Sequence, residues 1–257
     1  MDKDSTQKFQ DDEYDFPYHH IPTYGKLFTQ CFNWGWGINY VATIEFLIDK
    51  LNQEKFESLV DVGCGDGRLT KELKQKFQTR EVEGIDYSEK AIRLAKAMDF
   101  EGTYHCTDIL KEAPNKKYDI ALLIEVFEHI YPQVGDEFLS AVARLLKQDG
   151  LLILTVPHIN IPLQIKHYRH FSVRSILDCL DKHFDIMEII PFERRGKKRE
   201  IIDFILANDF FVLNHWRLKN FIYRFYKQHL FFVDKEEFCQ RIYIKARVKS
   251  LNLQLLP

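Results

Sequence analysis

The stretch "SLVDVGCGDGRLTKEL", from Ser58 to Leu73, decides the fold of this 257-residue chain. An apolar run that ends in an acid is followed by glycines at every second position, Gly63, Gly65 and Gly67, and then by a segment with helical patterning. The run is typical of a buried strand, and glycines let a backbone turn tightly and approach a ligand where a Cβ would be in the way. The stretch therefore predicts a strand, a glycine turn with a ligand beside it, and a helix.

Strands and helices alternate along the rest of the chain. Apolar runs predict strands at 58–62, 81–86, 103–108, 118–124, 150–156, 184–192 and 238–248. Helical patterning predicts helices at 38–51, 68–77, 88–98 (with Ser88 as N-cap), 135–146 and 171–184, and a further helical face at Leu218, Phe221, Ile222, Phe225 and His229. This alternation predicts right-handed βαβ crossovers, and so an α/β fold with a mostly parallel sheet covered on both faces.

Composition narrows the class of protein. Hydrophobic residues make up 46% of the chain and charged residues 29%, as in ordinary globular proteins. The net charge of -2 gives no electrostatic case for a nucleic-acid partner. Five scattered cysteines without a CxxC pair indicate neither a disulfide framework nor a thiolate zinc site. With no signal peptide and no transmembrane segment apparent, we expect a cytoplasmic protein.

Two acids follow the glycine turn at positions that suit an adenosine. The glycine pattern is GxGxG, and Arg68 stands where the third glycine of a dinucleotide fingerprint would fall, which favours a ligand without a pyrophosphate. Asp86, about twenty residues on, ends the second predicted strand, where a carboxylate can accept hydrogen bonds from both ribose hydroxyls. Asp108 ends the third predicted strand and is placed to accept from an adenine amino group. The sequence thus predicts an adenosine that carries no phosphate.

Four segments in order, "VDVGCGDG", "GIDYSEKAIRLAKA", "CTDIL" and "YDIALLIEVFEHI", resemble the motifs of class I S-adenosylmethionine-dependent methyltransferases. The resemblance covers 59–174. It implies a Rossmann-like, seven-stranded, mostly parallel sheet with helices on both faces and an antiparallel last strand that forms a hairpin with the sixth. It also implies S-adenosyl-L-methionine as cofactor and S-adenosyl-L-homocysteine as product.

The same resemblance assigns cofactor contacts. The three glycines would line the methionine and ribose, Asp61 would face the methionine amino group, and Asp86 would hold the ribose. The implied cofactor-binding residues are Asp61, Gly63, Cys64, Gly65, Gly67, Asp86, Tyr87, Asp108, Ile109 and Glu125. A glycine turn in a ligand-free α/β domain, and a catalytically silent module that binds the cofactor, are the alternatives.

Candidate catalytic residues cluster after the fourth and fifth strands: Glu125, Glu128, His129 and His170. In the first interpretation His129 is a general base, because an imidazole is partly neutral at cellular pH, and no metal is used. In the second, all four residues bind one metal, an arrangement that resembles the small-RNA 3′-terminal 2′-O-methyltransferases. In the third, Glu128 and His129 cap a helix or bond to neighbouring loops, and the later histidines line the substrate cleft.

The segment "VPH…KHYRHFS" looks like one in methyltransferases found among bacterial glycan genes. A loop rich in histidine and tyrosine can hydrogen-bond to sugar rings and stack on them. The expected substrate-binding residues are His158, His167, Tyr168, Arg169 and His170, with Lys166 and Arg169 as alternative sites for a phosphate or carboxylate. O-methylation of a sugar, a glycan or another small polar acceptor is the predicted function; metal-dependent RNA 2′-O-methylation is the alternative.

We divide the chain into an aromatic-rich extension and helix, 1–52, and a methyltransferase domain, 53–257, with a helical insertion at about 193–234. The extension is a candidate lid over the active site, or it packs against the sheet edge. The basic, aromatic insertion helix suits peripheral contact with a membrane surface, or it docks on its own domain. The aromatic and histidine residues of the extension are Phe16, Tyr18, His19, His20, Tyr24, Trp34 and Trp36.

Overall fold

The computed structural model describes residue 8 and residues 34–249, apart from 113, 207, 209, 212 and 214; the side chains of 34–36 are also outside the description. Seven strands form one sheet in the order β3-β2-β1-β4-β5-β7-β6. They are β1 Ser58–Val62, β2 Glu81–Asp86, β3 Thr103–Cys106, β4 Tyr118–Ile124, β5 Leu146–Pro157, β6 Phe184–Arg194 and β7 Cys239–Val248. The predicted fold class is confirmed.

Six of the seven strands, β1–β6, run in one direction, and β7 runs in the opposite direction. Strand β1 pairs in parallel with β2 and β4, β2 with β3, and β4 with β5. Strand β7 runs antiparallel to both of its neighbours, β5 and β6. The carboxyl ends of the parallel strands therefore share one edge, and β7 begins there, with Arg241 opposite Pro157. This edge is where open α/β sheets bind ligands.

Helices cover both faces of the sheet. They are α1 Trp34–Leu51, α2 Arg68–Lys76, α3 Glu89–Met98, α4 Gly135–Leu145, α5 Val173–Leu180, α6 Lys197–Leu206 and α7 Trp216–His229. Leu152 and Leu154 of β5 face a core with α4 and α5, whereas Leu151 and Ile153 face a second core with α1, α2, α6 and α7. Alternate side chains of a strand point to opposite faces, so β5 is buried on both.

Element ends follow local chemistry with a few corrections. Ser88 is the N-cap of α3, as predicted: its hydroxyl accepts from the Ala91 N–H at 3.2 Å. Strand β3 ends at Cys106, so Asp108 lies in the loop two residues beyond it and does not end the strand. Strand β6 continues to Arg194, so the connection to β7 begins later than predicted.

The connection between β6 and β7 contains α6 and α7. The predicted apolar face of α7 was only partly right. Ile222 and Tyr226 are buried, and the Tyr226 hydroxyl donates to Asn39 Oδ1 of α1 at 2.8 Å. Phe221 and Leu218 remain exposed at 66% and 43%. The helix docks through a face centred on Tyr226 because that phenol finds a buried partner.

The predicted aromatic extension lies mostly outside the described residues. Phe16, Tyr18, His19, His20 and Tyr24 are not described, nor are the side chains of Trp34 and Trp36. Its helix is α1, whose Leu47 and Leu51 are fully buried in the second core. Of the helices in the described part of the chain, none combines the length and the hydrophobicity needed to cross a bilayer.

Candidate active site

The loop after β1 is built from three glycines in left-handed backbone conformations. Their φ angles are +77° at Gly63, +55° at Gly65 and +75° at Gly67. A Cβ at Gly63 would lie 2.6 Å from a methyl group of Val126, and one at Gly67 would lie 2.8 Å from the Cβ of Ala95. Both distances are below any normal contact, so glycine is required by conformation and by space. The loop is the bare backbone that the sequence predicted.

Asp86 ties this loop to the end of β2. Its Oδ2 accepts from the Gly65 N–H and its Oδ1 from the Ser88 N–H, both at 2.9 Å. The ribose contact assigned to Asp86 remains a prediction. The side chain of Tyr87, the next residue, is 46% exposed beside it. Asp86 therefore shapes the loop at the edge of the sheet.

Asp61 is a buried acid beneath the loop. Its Oδ2 accepts from the Thr70 hydroxyl at 2.7 Å. Burial raises the pKa of Asp61 to about 7; the Thr70 hydrogen bond opposes this rise, and the negative charge of Asp86 adds to it. An added cation would favour the ionised form. This environment fits the amino group that the resemblance assigns to Asp61.

The remaining predicted cofactor residues lie around the same edge. Asp108 accepts from the Leu110 N–H at 3.1 Å and pairs with Lys111 at 3.1 Å. Ile109 is 4% exposed and belongs to the core between the sheet and α4. Cys64 is buried and carries a free thiol, whose pKa burial raises. We keep these three as predicted contacts.

A cavity of about 250 Å³ begins at this loop. Gly65 and Asp66 form one end, and Glu128, His129 and His167 lie in its wall together with Lys166. Helix α1 contributes Asn39, Tyr40 and Thr43, and further lining residues include Ile44, Leu47, Leu69, Ile124, Glu125, Gln164 and Arg241. The cavity thus connects the cofactor loop to the predicted catalytic residues.

Glu125 is held at the end of β4 in a strained conformation. Its φ is +55°, which is unusual for a residue with a side chain. Its N–H donates to the Thr155 carbonyl at 3.1 Å, and its Oε1 accepts from the Thr155 hydroxyl at 3.0 Å. Its Oε2 accepts from Arg241 Nε at 2.9 Å. These contacts from β5 and β7 compensate for the strain and occupy both carboxylate oxygens.

Glu128, His129 and His167 bring one ligand atom each to within 4.8 Å of one another. The Glu128 side chain is fully buried, and neither of its oxygens has a hydrogen-bond partner among the described residues. Burial, and then the charge of Glu125, raise its pKa well above the ordinary value. Burial also lowers the pKa of His129 to about 4 and that of His167 to about 2, so both imidazoles are neutral at cellular pH.

The predicted substrate residues divide into one that lines the cavity and four that do not. His167 lines it. His158 Nε2 contacts Glu236 Oε1 at 2.9 Å, and the Tyr168 N–H donates to the Glu128 carbonyl at 2.9 Å. The Arg169 guanidinium lies over Phe127 and Phe171, 4.8 and 5.0 Å from their ring centroids, and burial lowers its pKa. His170 contacts His167 and the Ile161 carbonyl.

The predicted metal set also differs from the observed cluster at two positions. Glu125 is occupied by Thr155 and Arg241, and His170 lies behind His167. Arg241 and Thr155 could not be predicted as partners of Glu125, because neither belongs to a motif and they reach it from β7 and β5. Asn39 and Tyr40 of α1 were also not predicted as cavity-lining residues, because nothing in the sequence of this helix indicates that it packs beside the cavity.

The strand order, the glycine loop after β1 and the acid that ends β2 define a class I S-adenosylmethionine-dependent methyltransferase. Asp61 offers a buried acid for the amino group of this cofactor, and Asp86 offers one at the end of β2 for its ribose, so the chemistry of these two residues suits the cofactor. A family model described as a methyltransferase domain matches residues 39–241. The chain belongs to that family. S-adenosylmethionine is the cofactor that this family uses.

The sequence is similar to parts of several curated methyltransferases. A ubiquinone biosynthesis O-methyltransferase of Bradyrhizobium sp. (strain ORS 278) is 35% identical over 101 residues, or 38% of each chain. A protein-lysine N-methyltransferase of Saccharomyces cerevisiae is 32% identical over 132 residues, 44% of this chain and 57% of that protein. The chain thus spans less than two thirds of the length of these curated relatives.

Solved structures support the fold. Magnesium protoporphyrin IX methyltransferase from Synechocystis PCC 6803, with S-adenosylmethionine bound, superposes with a TM-score of 0.58 at 18% identity, over 97% of this chain and 98% of the other. An N-methyltransferase from Bradyrhizobium japonicum WM9, in complex with S-adenosylhomocysteine, gives 0.56 at 12% identity, over 82% and 87% of the two chains. Identities this low speak to fold alone.

Proposed function

We propose that this methyltransferase acts on a hydroxyl oxygen of a small polar acceptor, with a sugar or glycan as the substrate class. The observation that carries the proposal is the cavity that joins the glycine loop to Glu128, His129 and His167. Its volume of about 250 Å³ suits a small acceptor or one unit of a larger one. A methyl donor at the loop would face the three proton-accepting groups across this space.

The lining favours a hydroxyl over a charged amine. Glu128 and the two imidazoles offer acceptor atoms, which suit the hydrogen of a hydroxyl. Lys166 shares the same wall and disfavours an acceptor that carries a positive charge. Asn39, Thr43 and Gln164 add polar groups of the kind that recognise several hydroxyls on one ring. These features support an uncharged, hydroxyl-rich acceptor.

The cofactor supplies an activated methyl group, and the chain has to align the acceptor and receive its proton. His129 Nδ1 lies 3.0 Å from the Lys166 carbonyl, which can only accept, so Nδ1 carries the proton and Nε2 keeps its lone pair. The predicted base is thus in the correct tautomer. With a pKa of about 4, however, it is a weak base, so His129 alone does not account for removal of the acceptor's proton.

We retain the proposal that the N-terminal extension covers the active site. Helix α1 already supplies Asn39, Tyr40 and Thr43 to the cavity wall, and the aromatic stretch comes directly before it. Closure by aromatic side chains would exclude water from the transfer.

The proposal is tested by incubating the purified full-length protein with methyl-labelled S-adenosylmethionine and a fractionated extract of its host. We expect label in a glycan or small-molecule fraction as an ether, which resists mild alkali. Alkali-labile label would indicate a carboxyl ester, and label in RNA would replace the sugar proposal with 2′-O-methylation. Either result would overturn the substrate class proposed here.

Two variants control this experiment. Asp86→Ala removes the proposed ribose acceptor and also two hydrogen bonds that shape the loop. The loss of one charge-assisted hydrogen bond costs about 1.5–3 kcal/mol, so we expect cofactor affinity to fall roughly 10- to 150-fold. Asp136→Asn, on the surface of α4, should leave affinity and labelling unchanged. Unchanged affinity in Asp86→Ala, measured by calorimetry, would remove the ribose assignment.

A further inference from the structure

Glu128 is the most unusual charged group in the described part of the chain. Its side chain is fully buried, and neither carboxylate oxygen reaches a hydrogen-bond donor there. Buried carboxylates are almost always paired, because leaving one unpaired costs several kcal/mol. Glu125 is not a partner, since its own oxygens are held by Thr155 and Arg241. The charges of Arg241 and Lys166 act on Glu128, but no described group bonds directly to its oxygens, so its position calls for a cation or a donor in direct contact.

The two neighbouring imidazoles are oriented as ligands. His129 donates through Nδ1 to the Lys166 carbonyl, which leaves Nε2 unprotonated. His170 Nδ1 lies 3.2 Å from the Ile161 carbonyl, so it carries the proton and His170 Nε2 is an acceptor. That acceptor lies 2.8 Å from His167 Nδ1, which must therefore donate. These two hydrogen bonds, from His167 to His170 and from His170 to Ile161, leave His167 Nε2 with a free lone pair as well.

Carbonyl partners behind imidazoles are the usual way in which proteins fix metal-binding histidines. They set the tautomer, hold the ring in place and raise the basicity of the ligand nitrogen. Here one histidine is supported directly, and the other through a second histidine. The rings of His129 and His167 lie edge to face with centroids 4.6 Å apart, and one nitrogen of each ring lies within 4.8 Å of a Glu128 oxygen.

We propose that Glu128, His129 and His167 bind a divalent ion of the Zn²⁺ class at the end of the cavity. Two imidazoles and one carboxylate suit Zn²⁺ and neighbouring first-row ions, whereas Mg²⁺ and Ca²⁺ prefer all-oxygen sites. Three protein ligands leave at least one coordination position open, as in catalytic zinc sites. His170 is a positioning residue that acts through His167, and Glu125 takes no part in coordination.

The ion would restrict which hydroxyl groups can serve as methyl acceptors. Resting on the proposed function, we infer a hydroxyl with a second oxygen on the adjacent carbon, such as a vicinal diol, because two oxygens chelate an ion better than one. The bound hydroxyl loses its proton to water, since the ion lowers its pKa. The oxygen then bonds to the methyl carbon as the carbon–sulfur bond breaks, and the electron pair stays on the sulfur. His129 is a ligand in this step and no longer a base.

The site is tested with metal ions alone. The full-length protein is dialysed against a chelator and titrated with Co²⁺, whose visible absorption reports its coordination, and then with Zn²⁺ in competition. We expect one ion per chain and displacement of Co²⁺ by Zn²⁺. Glu128→Gln and His167→Ala should weaken binding roughly 100-fold or more, and His170→Phe roughly 10- to 100-fold. Binding at full affinity in Glu128→Gln and His167→Ala, or no binding by the wild type, would overturn the proposal.

A matched control separates the site from other histidines. His183→Ala removes a largely buried imidazole whose Nε2 contacts Asp136 at 2.8 Å, away from the cavity, and should bind Co²⁺ as the wild type does. Circular dichroism and cofactor affinity report folding in each variant. If His167→Ala does not fold, His129→Gln serves as the second test of ligation.

Failure of this inference is distinguishable from failure of the proposed function. A protein that binds one ion through these residues but labels no hydroxyl acceptor supports the site and contradicts the proposed function. Conversely, O-methylation that survives the chelator in a protein that binds no ion contradicts the site and leaves the proposed function intact. Loss of labelling with the chelator, and its return with Zn²⁺, would support both.

Discussion

Asp61 shows how a single buried acid can make stability depend on pH. In the folded protein its pKa is about 7, whereas an unfolded chain gives about 3.9. Between these values the folded state holds a proton that the unfolded state has lost. The contribution of Asp61 to the free energy of unfolding is therefore largest near pH 4 and falls as the pH rises toward 7. A shift of about three pKa units corresponds to roughly 4 kcal/mol.

Asp61→Asn tests this dependence without a change in shape, because the amide oxygen can still accept from Thr70. We expect the variant to gain stability relative to the wild type as the pH rises from 4 to 7, in the absence of cofactor. Urea unfolding at several pH values gives the difference. Parallel stability curves for the two proteins would contradict the raised pKa.

The residues whose place in the fold could be predicted from the sequence are those with local chemistry, and their cofactor contacts remain predictions. Gly63, Gly65, Gly67 and the Asp86 that supports them lie in short motifs, where spacing along the chain fixes spacing in the structure. Choosing between His167 and His170 was not possible in this way. Both lie in one loop, and only its folded path shows that one lines the cavity while the other supports it from behind. Arg241 is farther still from any motif.

Helix α6 is anchored to the sheet through Arg199. Its Nη1 donates to Glu193 Oε1 at 3.0 Å, and its Nε donates to Asp203 at 2.9 Å. Glu193 in turn contacts Arg241, the partner of Glu125. A chain of alternating charges therefore runs from the connection between β6 and β7 to the active-site edge. Its members are largely shielded from water, with the Arg199 side chain only 9% exposed.

Arg199→Met should lower the free energy of unfolding by about 1.5–3 kcal/mol, because it leaves one buried oxygen of Glu193 without its donor. Arg174→Met is the matched control. Arg174 makes the same i,i+4 pair with Asp178 on α5, but its side chain is 87% exposed, and exposed pairs contribute about 0–1 kcal/mol. Denaturant unfolding measures both. Equal losses in the two variants would show that the buried chain of charges adds nothing.

Most elements were predictable because their hydrophobic periodicity is strong. Strands β1, β2, β4 and β5 are largely buried in the sheet, and their apolar runs differ clearly from the amphipathic helices between them. The errors concern elements whose limits depend on a distant partner. Strand β3 is an edge strand and ends earlier than predicted. Helix α7 packs through the face that contains Tyr226, whose partner Asn39 of α1 is 187 positions away along the chain. Periodicity within α7 cannot indicate that contact.

Cofactor binding should stabilise the whole chain, since the glycine loop and Asp86 join β1 to β2 near the centre of the sheet. A ligand at 100 times its dissociation constant adds about 2.7 kcal/mol to the free energy of unfolding. For a protein of this size, Tm should rise by roughly 5–10 °C. Thermal unfolding with S-adenosylhomocysteine measures the shift. An equal shift in Asp86→Ala would place the ligand elsewhere.

Strand β7 lies between β5 and β6, although it is the last along the chain of the strands in the described residues. During synthesis on the ribosome, β6 is made before the strand that connects it to the sheet exists, and β5 has an open edge for the same period. Exposed strand edges are prone to wrong pairing. Glu125 also lacks its ion-pair partner until Arg241 has been synthesised. The nascent enzyme thus depends on its final strand both to close the sheet and to set its active site, so a stall in translation before that strand would leave an inactive chain open to aggregation.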